Sequence, residues 1–326
     1  MKYIPRFADR QSLNDSLKPS LATVSGLALA ACGLAAPALH AQSVTQVNSL
    51  EAGIGWNAAA SGGDAIWSDG LAASGTKDYV VGSGFTLRTP IGTSTFAGNS
   101  LTIEAGGQLL LKPNNNDRVH TVNDLILNGG QITHGQPART IAYQLAGSIT
   151  LTADSTYDAT GSDYRRATFS ASISGSSTFS INLGSSDDLT ISSASNTFSG
   201  EWFVSQADSG SVSDFFATGN GALGNADVTI GSGINFDVDY DINNTTKALN
   251  LDGIMILDQD HTFGMVQIDG DTLAAGTYSF EDLNSSYDAF FVDGGTGSLT
   301  VVPEPSYFAL SLAILAMVGF SRRSRK

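Results

Sequence analysis

Five β-rich runs start at Val80, Leu101, Leu125, Ile149 and Ile173, with spacings of 21, 24, 24 and 24 residues. Each has the same shape: a stretch rich in Val, Ile, Leu, Thr or Phe, a small-residue kink, then a second such stretch. Leu101-Thr-Ile-Glu-Ala-Gly-Gly-Gln-Leu-Leu-Leu111 and Leu125-Ile-Leu-Asn-Gly-Gly-Gln-Ile132 show it most clearly. A recurrence of 20–50 residues marks a chain that stacks like units rather than closing one globular core. At this length the unit is one coil of a parallel β-helix, its inward aliphatic side chains stacked on those of the next coil. Helix signals are sparse between residues 42 and 302, and alanine runs such as Asn57-Ala-Ala-Ala60 are broken by nearby glycines. The expected fold is therefore all-β, a parallel β-helix or solenoid over residues 42–232. A β-sandwich of regular hairpins is the rival arrangement. Residues 233–302, including Leu251, Ile254, Ile256 and the closing Gly297-Ser-Leu-Thr-Val301, are expected to form a C-terminal β region that caps the stack and hides its edge.

Charge narrows the partners of that body. The chain carries −15 overall, but Lys2, Arg6, Arg10, Lys18, Arg322, Arg323, Arg325 and Lys326 all lie in the terminal segments. Between them stand 28 acidic and 8 basic residues, a net charge near −20. Such a body repels nucleic acid and anionic lipid. The one cysteine, Cys32, lies in the N-terminal segment, so disulfides do not hold the body together.

Both termini have the pattern of addressing signals. Residues 1–20 are polar and basic, Leu21 to Ala36 form an apolar run, and Pro37-Ala-Leu-His-Ala41 offers small residues for cleavage. This is the order of a secretory signal helix, residues 1–41, with the cut expected between Ala41 and Gln42. Leu29-Ala30-Ala31-Cys32 also matches a lipoprotein signal, which would lipidate Cys32; continuation of the apolar run beyond it favours the later cut. At the other end, Pro303-Glu304-Pro305 precedes an apolar stretch from Tyr307 to Phe320 and the basic cluster Arg322, Arg323, Arg325 and Lys326. Fourteen residues make about 21 Å of helix. That is short for a bilayer core of about 30 Å, and snorkelling arginines with Tyr307 at the interface extend it. The positive-inside rule places the basic end in the cytoplasm and the body outside.

In residue identity, order and position, this ending resembles the PEP-CTERM sorting tag of exosortase-processed proteins in Gram-negative bacteria. The resemblance covers residues 303–326 and implies processing near Pro303, Glu304 and Pro305 by a membrane-embedded exosortase. It also implies export machinery as a partner, an inner-membrane intermediate, and a final place on the cell surface or in an exopolysaccharide, biofilm-type matrix. Two prolines suit a processing site because they keep the segment extended. Within the body, Asn196-Thr-Phe-Ser-Gly-Glu-Trp-Phe-Val204 and Gly219 to Ile230 resemble autotransporter-associated β-strand repeats, which implies a displayed solenoid rather than a chemistry.

The residues offer little catalytic pattern, and no cofactor is expected. Asp237, Asp239 and Asp241 alternate, which on one strand puts three carboxylates on one face, an arrangement suited to calcium; a solvated acidic face is the stronger expectation. Asp258/Asp260 and Asp269/Asp271 share the ambiguity. A polysaccharide-cleaving β-helix would draw on Arg118, His120, Arg139, Arg165 and Arg166 beside Asp117, Asp154, Asp158 and Asp163, for which salt bridges are the favoured role. His134 and His261 lack ligand companions at useful spacing. Trp56, Trp67, Trp202, Tyr79, Tyr143 and Tyr164 are candidates for sugar stacking, with core packing the commoner fate of such rings. The expected function is structural or adhesive and non-enzymatic. The alternatives are a carbohydrate-active β-helix enzyme and a glycan-binding module.

Overall fold

The computed structural model describes residues 41–50, 55–112, 117–135, 142–161 and 165–302. The expected signal helix, Cys32, Pro303 to Pro305, the apolar stretch and the basic cluster lie outside the described residues, as do Arg139, Asp163 and Tyr164.

The body is a parallel β-solenoid. Two twelve-stranded sheets run along it, and nearly all strand pairs are parallel and join one coil to the next. The repeat read from the sequence is the rung register itself. Leu101 pairs with Leu125, Leu125 with Ile149, and Ile149 with Ile173. The first interval is one residue longer than the run starts suggested, because Tyr79 rather than Val80 pairs with Leu101.

Each early coil contributes three strands. One face stacks Lys77–Val81, Ser100–Glu104 and the later halves of Arg118–Asn128 and Ala142–Ala153 on Ser172–Gly175. A second face runs through nine strands from Thr86–Arg88 to Asp260–Ile268. Eight steps of about 4.8 Å make this face about 38 Å long. The third face begins with Ser94–Thr95 on the early half of Arg118–Asn128 and passes through Ala142–Ala153, Arg166–Phe169 and Asp188–Ile191 to Ile254–Ile256. Strand Ala142–Ala153 bends between the third face and the first at Gly147, where the register shifts. Gly147 has φ +105°, and a Cβ there would collide with the Val122 carbonyl. Only glycine combines that left-handed backbone with so close a rung.

Alternation decides what is inside. Strand Thr178–Leu183 buries Phe179, Ile181 and Leu183 and turns Thr178, Ser180 and Asn182 outward. The inward side chains form one continuous core. Aromatic rings stack along it: Phe215 and Phe236, partners on adjacent rungs, lie 5.9 Å apart and 14° from parallel. Outward amides and hydroxyls bond from rung to rung. Thr86 Oγ1 donates to Gln108 Oε1 at 3.2 Å, Gln108 Nε2 to Gln131 Oε1 at 3.0 Å, and Gln131 Nε2 to Asp158 Oδ2 at 2.9 Å.

The parallel ladders continue across residue 232, through Asn243–Leu251 and Asp260–Ile268. The stack is closed by antiparallel pairing of Gly276–Ser279 with Ser298–Val301 and by one helix, Phe280–Tyr287. That helix has a capping box, with Ser279 accepting from the Asp282 amide, and it buries Phe280 and Leu283. It departs from the all-β expectation for residues 233–302: the box is present as Ser279-x-x-Asp282, but eight residues carry too little periodicity to announce themselves. Among the described residues, no helix is long and apolar enough to cross a membrane.

Candidate functional site

A buried corner between the second and third faces brings several ionisable groups together. His134 ends Gln131–His134, Tyr157 lies inward on Ser155–Asp158, and Arg165 and Asp187 immediately precede Arg166–Phe169 and Asp188–Ile191. Tyr157 Oη and His134 Nδ1 are 3.2 Å apart, and His134 Nε2 has no hydrogen-bond partner. Burial, with the nearby Arg165 cation, lowers the His134 pKa to about 3. Burial raises Tyr157 well above the usual phenol range.

Asp187 sits under this corner as a fastener. Its carboxylate accepts from the amides of Gly184 and Arg165, each at 2.7 Å, and its own amide donates to Ser213 Oγ at 3.2 Å. Ser213 Oγ donates in turn to the Gly184 carbonyl. Burial nonetheless raises the Asp187 pKa to about 6, against the lowering effect of those amides and Arg165. One guanidinium nitrogen of Arg165, Nη1, donates to the loop carbonyls of Ala159 at 2.8 Å and Thr160 at 2.5 Å, while its buried Nε has no hydrogen-bond partner. Arg166 forms a salt bridge with Asp188 at 3.1 Å. Asp158 accepts from Gln131 and from the Thr160 amide, and Asp154 from the Thr178 amide at 2.8 Å. The arrangement can hold a tight turn.

His120 and His261 are buried in the same manner. His120 Nδ1 lies 3.2 Å from Ser94 Oγ, and His261 Nδ1 accepts from the Ile242 amide at 3.2 Å. Each Nε2 lacks a partner, and burial lowers both pKa values to about 4.

Two expectations are corrected here. Trp56, Trp67, Trp202 and Tyr79 are fully buried and Tyr143 is 1% exposed, so these rings cannot stack on a sugar. They fill the solenoid interior, where Trp202 Nε1 donates to the Leu223 carbonyl at 2.9 Å. Asp237, Asp239 and Asp241 do not share one strand face, because the strand ends at Val238. Asp237 points outward and is half-buried, Asp239 is exposed just past the strand, and Asp241 accepts from the Asp260 amide at 3.1 Å. Among the described residues no three histidine, cysteine or acidic side chains converge to hold a metal.

Sequence reasoning passed over Phe203, 42% exposed on the second face. Period two in Glu201-Trp202-Phe203-Val204 supplies the signal: an inward Trp202 forces Phe203 outward. Asp187 and Ser213 were also passed over, since nothing local marks a carboxylate that bonds across coils. Comparison with protein families, curated proteins and solved structures returns no match.

Proposed function

We propose that the chain is an exported surface or matrix protein, sorted by an exosortase through residues 303–326, with a structural or adhesive rather than enzymatic role. The observation that carries this reading is the fit between the folded body and the two expected address boundaries. Among the described residues the first strand, Gln42–Thr45, opens one residue after Ala41, and the last, Ser298–Val301, closes two residues before Pro303. The test is fractionation of cells expressing the wild-type chain and Glu304→Ala. The variant is expected to accumulate as a longer, inner-membrane form; processing at the wild-type rate would refute the sorting reading.

A glycan-binding role is favoured by one observation. Phe203 stands exposed in a row with Ser180, Thr229 and Asn250 on adjacent rungs, a ring face beside hydroxyls and an amide. Retention on insoluble polysaccharide that Phe203→Ser abolishes would support it, and absence of retention would leave the structural role.

A further inference from the structure

The body's charge is concentrated in its later half. Residues 42–166 hold 10 acidic and 7 basic side chains, whereas residues 167–302 hold 18 acidic side chains and Lys247 as their one cation. Lys247 is engaged by Asp227 at 3.2 Å and the Ser199 carbonyl at 2.9 Å. The third face has an unusual surface here. Strands Ser213–Ala217, Ile234–Val238 and Ile254–Ile256 align Asp214 with Asn235 and Ile254, and Phe216 with Asp237 and Ile256. Their neighbours Phe215, Phe236 and Met255 are buried, so these side chains point outward. Asp239 and Asp258 are exposed beyond the strand ends. Val292, 40% exposed, lies on the next rung, its amide donating to the Met255 carbonyl at 3.1 Å. Apolar and acidic side chains thus share one surface, and Asp237 lies between Phe216 and Ile256. Burial, then Asp239, Asp258 and Asp214, raise its pKa.

We propose that this face seats the chain's own C-terminal segment, residues 307–326, whenever that segment is outside a membrane. The complementarity is twofold. The run from Tyr307 to Phe320 carries no charged residue and matches Phe216, Ile254, Ile256 and Val292, while Arg322, Arg323, Arg325 and Lys326 match the carboxylates of Asp214, Asp237, Asp239 and Asp258. Such an apolar run in water is driven to bury its surface. The body's last described residue, Val302, donates its amide to the Phe263 carbonyl, on the coil that follows Ile254–Ile256. Residues 303–306 add about 13 Å of reach when extended. Membrane insertion removes the segment and uncovers the face. This step precedes sorting and does not depend on an exosortase.

Limited trypsin digestion of the purified full chain, in detergent-free buffer at low salt and followed by intact mass, tests it at Arg322 and Arg323. Asp239→Asn with Asp258→Asn weakens the face without adding a tryptic site, and Asp269→Asn with Asp271→Asn removes equal charge elsewhere. Cleavage is expected to be about threefold faster or more in the first pair than in wild type or the second pair, and the difference should shrink at high salt. Equal rates in all three chains, or equal acceleration by both pairs, overturns the proposal. Unchanged thermal melting of both variants shows that the body itself is intact.

Discussion

His134, His120 and His261 each place an imidazole in the core with one nitrogen bonded and Nε2 alone. Their folded pKa values, about 3, 4 and 4, lie below the ordinary 6.5. A group depressed in this way contributes stability that is present above pH 6.5 and lost as pH falls through the folded value. For His134 the loss by pH 4 is on the order of 3 kcal/mol. Asp187 acts in the other sense: its pKa is raised to about 6, so its contribution is present below the ordinary 3.8 and lost as pH rises through 6. Three histidines outweigh one carboxylate, so urea midpoints should drop steeply between pH 6.5 and 4. His134→Gln should flatten that slope, as read from unfolding curves at four or five pH values; an unchanged slope would show that the imidazole is not held neutral. Arg165 gives a second outcome at this scale. Removing its guanidinium by Arg165→Ala strips the donors from Ala159 and Thr160 and should cost about 2 kcal/mol of unfolding free energy. Both bonds come from the single nitrogen Nη1, so Arg165→Lys, which keeps one cationic donor, should recover part of the loss.

Strands show most plainly what could be read in advance. The 24-residue spacing from Leu101 to Ile173 became the rung register because each of those residues is an inward position of the same face. Beyond Ile173 the in-register steps vary: Phe179 to Trp202 is 23 residues, Trp202 to Val228 is 26 and Leu249 to Val266 is 17. Loops at the corners absorb these differences at little cost, so the later coils carry no audible period although the ladders continue. The buried corner was hidden for a related reason. Arg165, Asp187 and Ser213 meet only because consecutive coils overlay their loops, and no local motif encodes that meeting. The bend at Gly147 is specified by one residue. Gly147→Ala faces both a left-handed φ of +105° and the Val122 carbonyl, and a loss of about 2 kcal/mol or more is expected from denaturant titration. A loss within a few tenths would mean that the strand relaxes around the new methyl.

The whole molecule is a stack, and stacks respond to editing differently from globules. Each coil touches mainly its neighbours, so stability is close to a sum of coil and interface contributions. Leu125 and Ile149 occupy equivalent places on successive rungs. Excising residues 125–148 therefore joins Asp124 to Ile149 and sets Leu101 and Ile149 face to face, with every later alternation intact. The excision discards His134 and leaves the Tyr157 hydroxyl without that partner, so some stability must be lost. The shortened chain should still unfold cooperatively, with a denaturant slope lower by roughly a tenth, in proportion to the surface removed. Excising residues 125–136 instead carries the chain only part of the way round a coil, so that Pro137 takes the place of Leu125; that chain should fail to give a cooperative transition. Far-UV circular dichroism during urea unfolding reads both. If the two excisions behaved alike, the rung register would not be what holds this protein together.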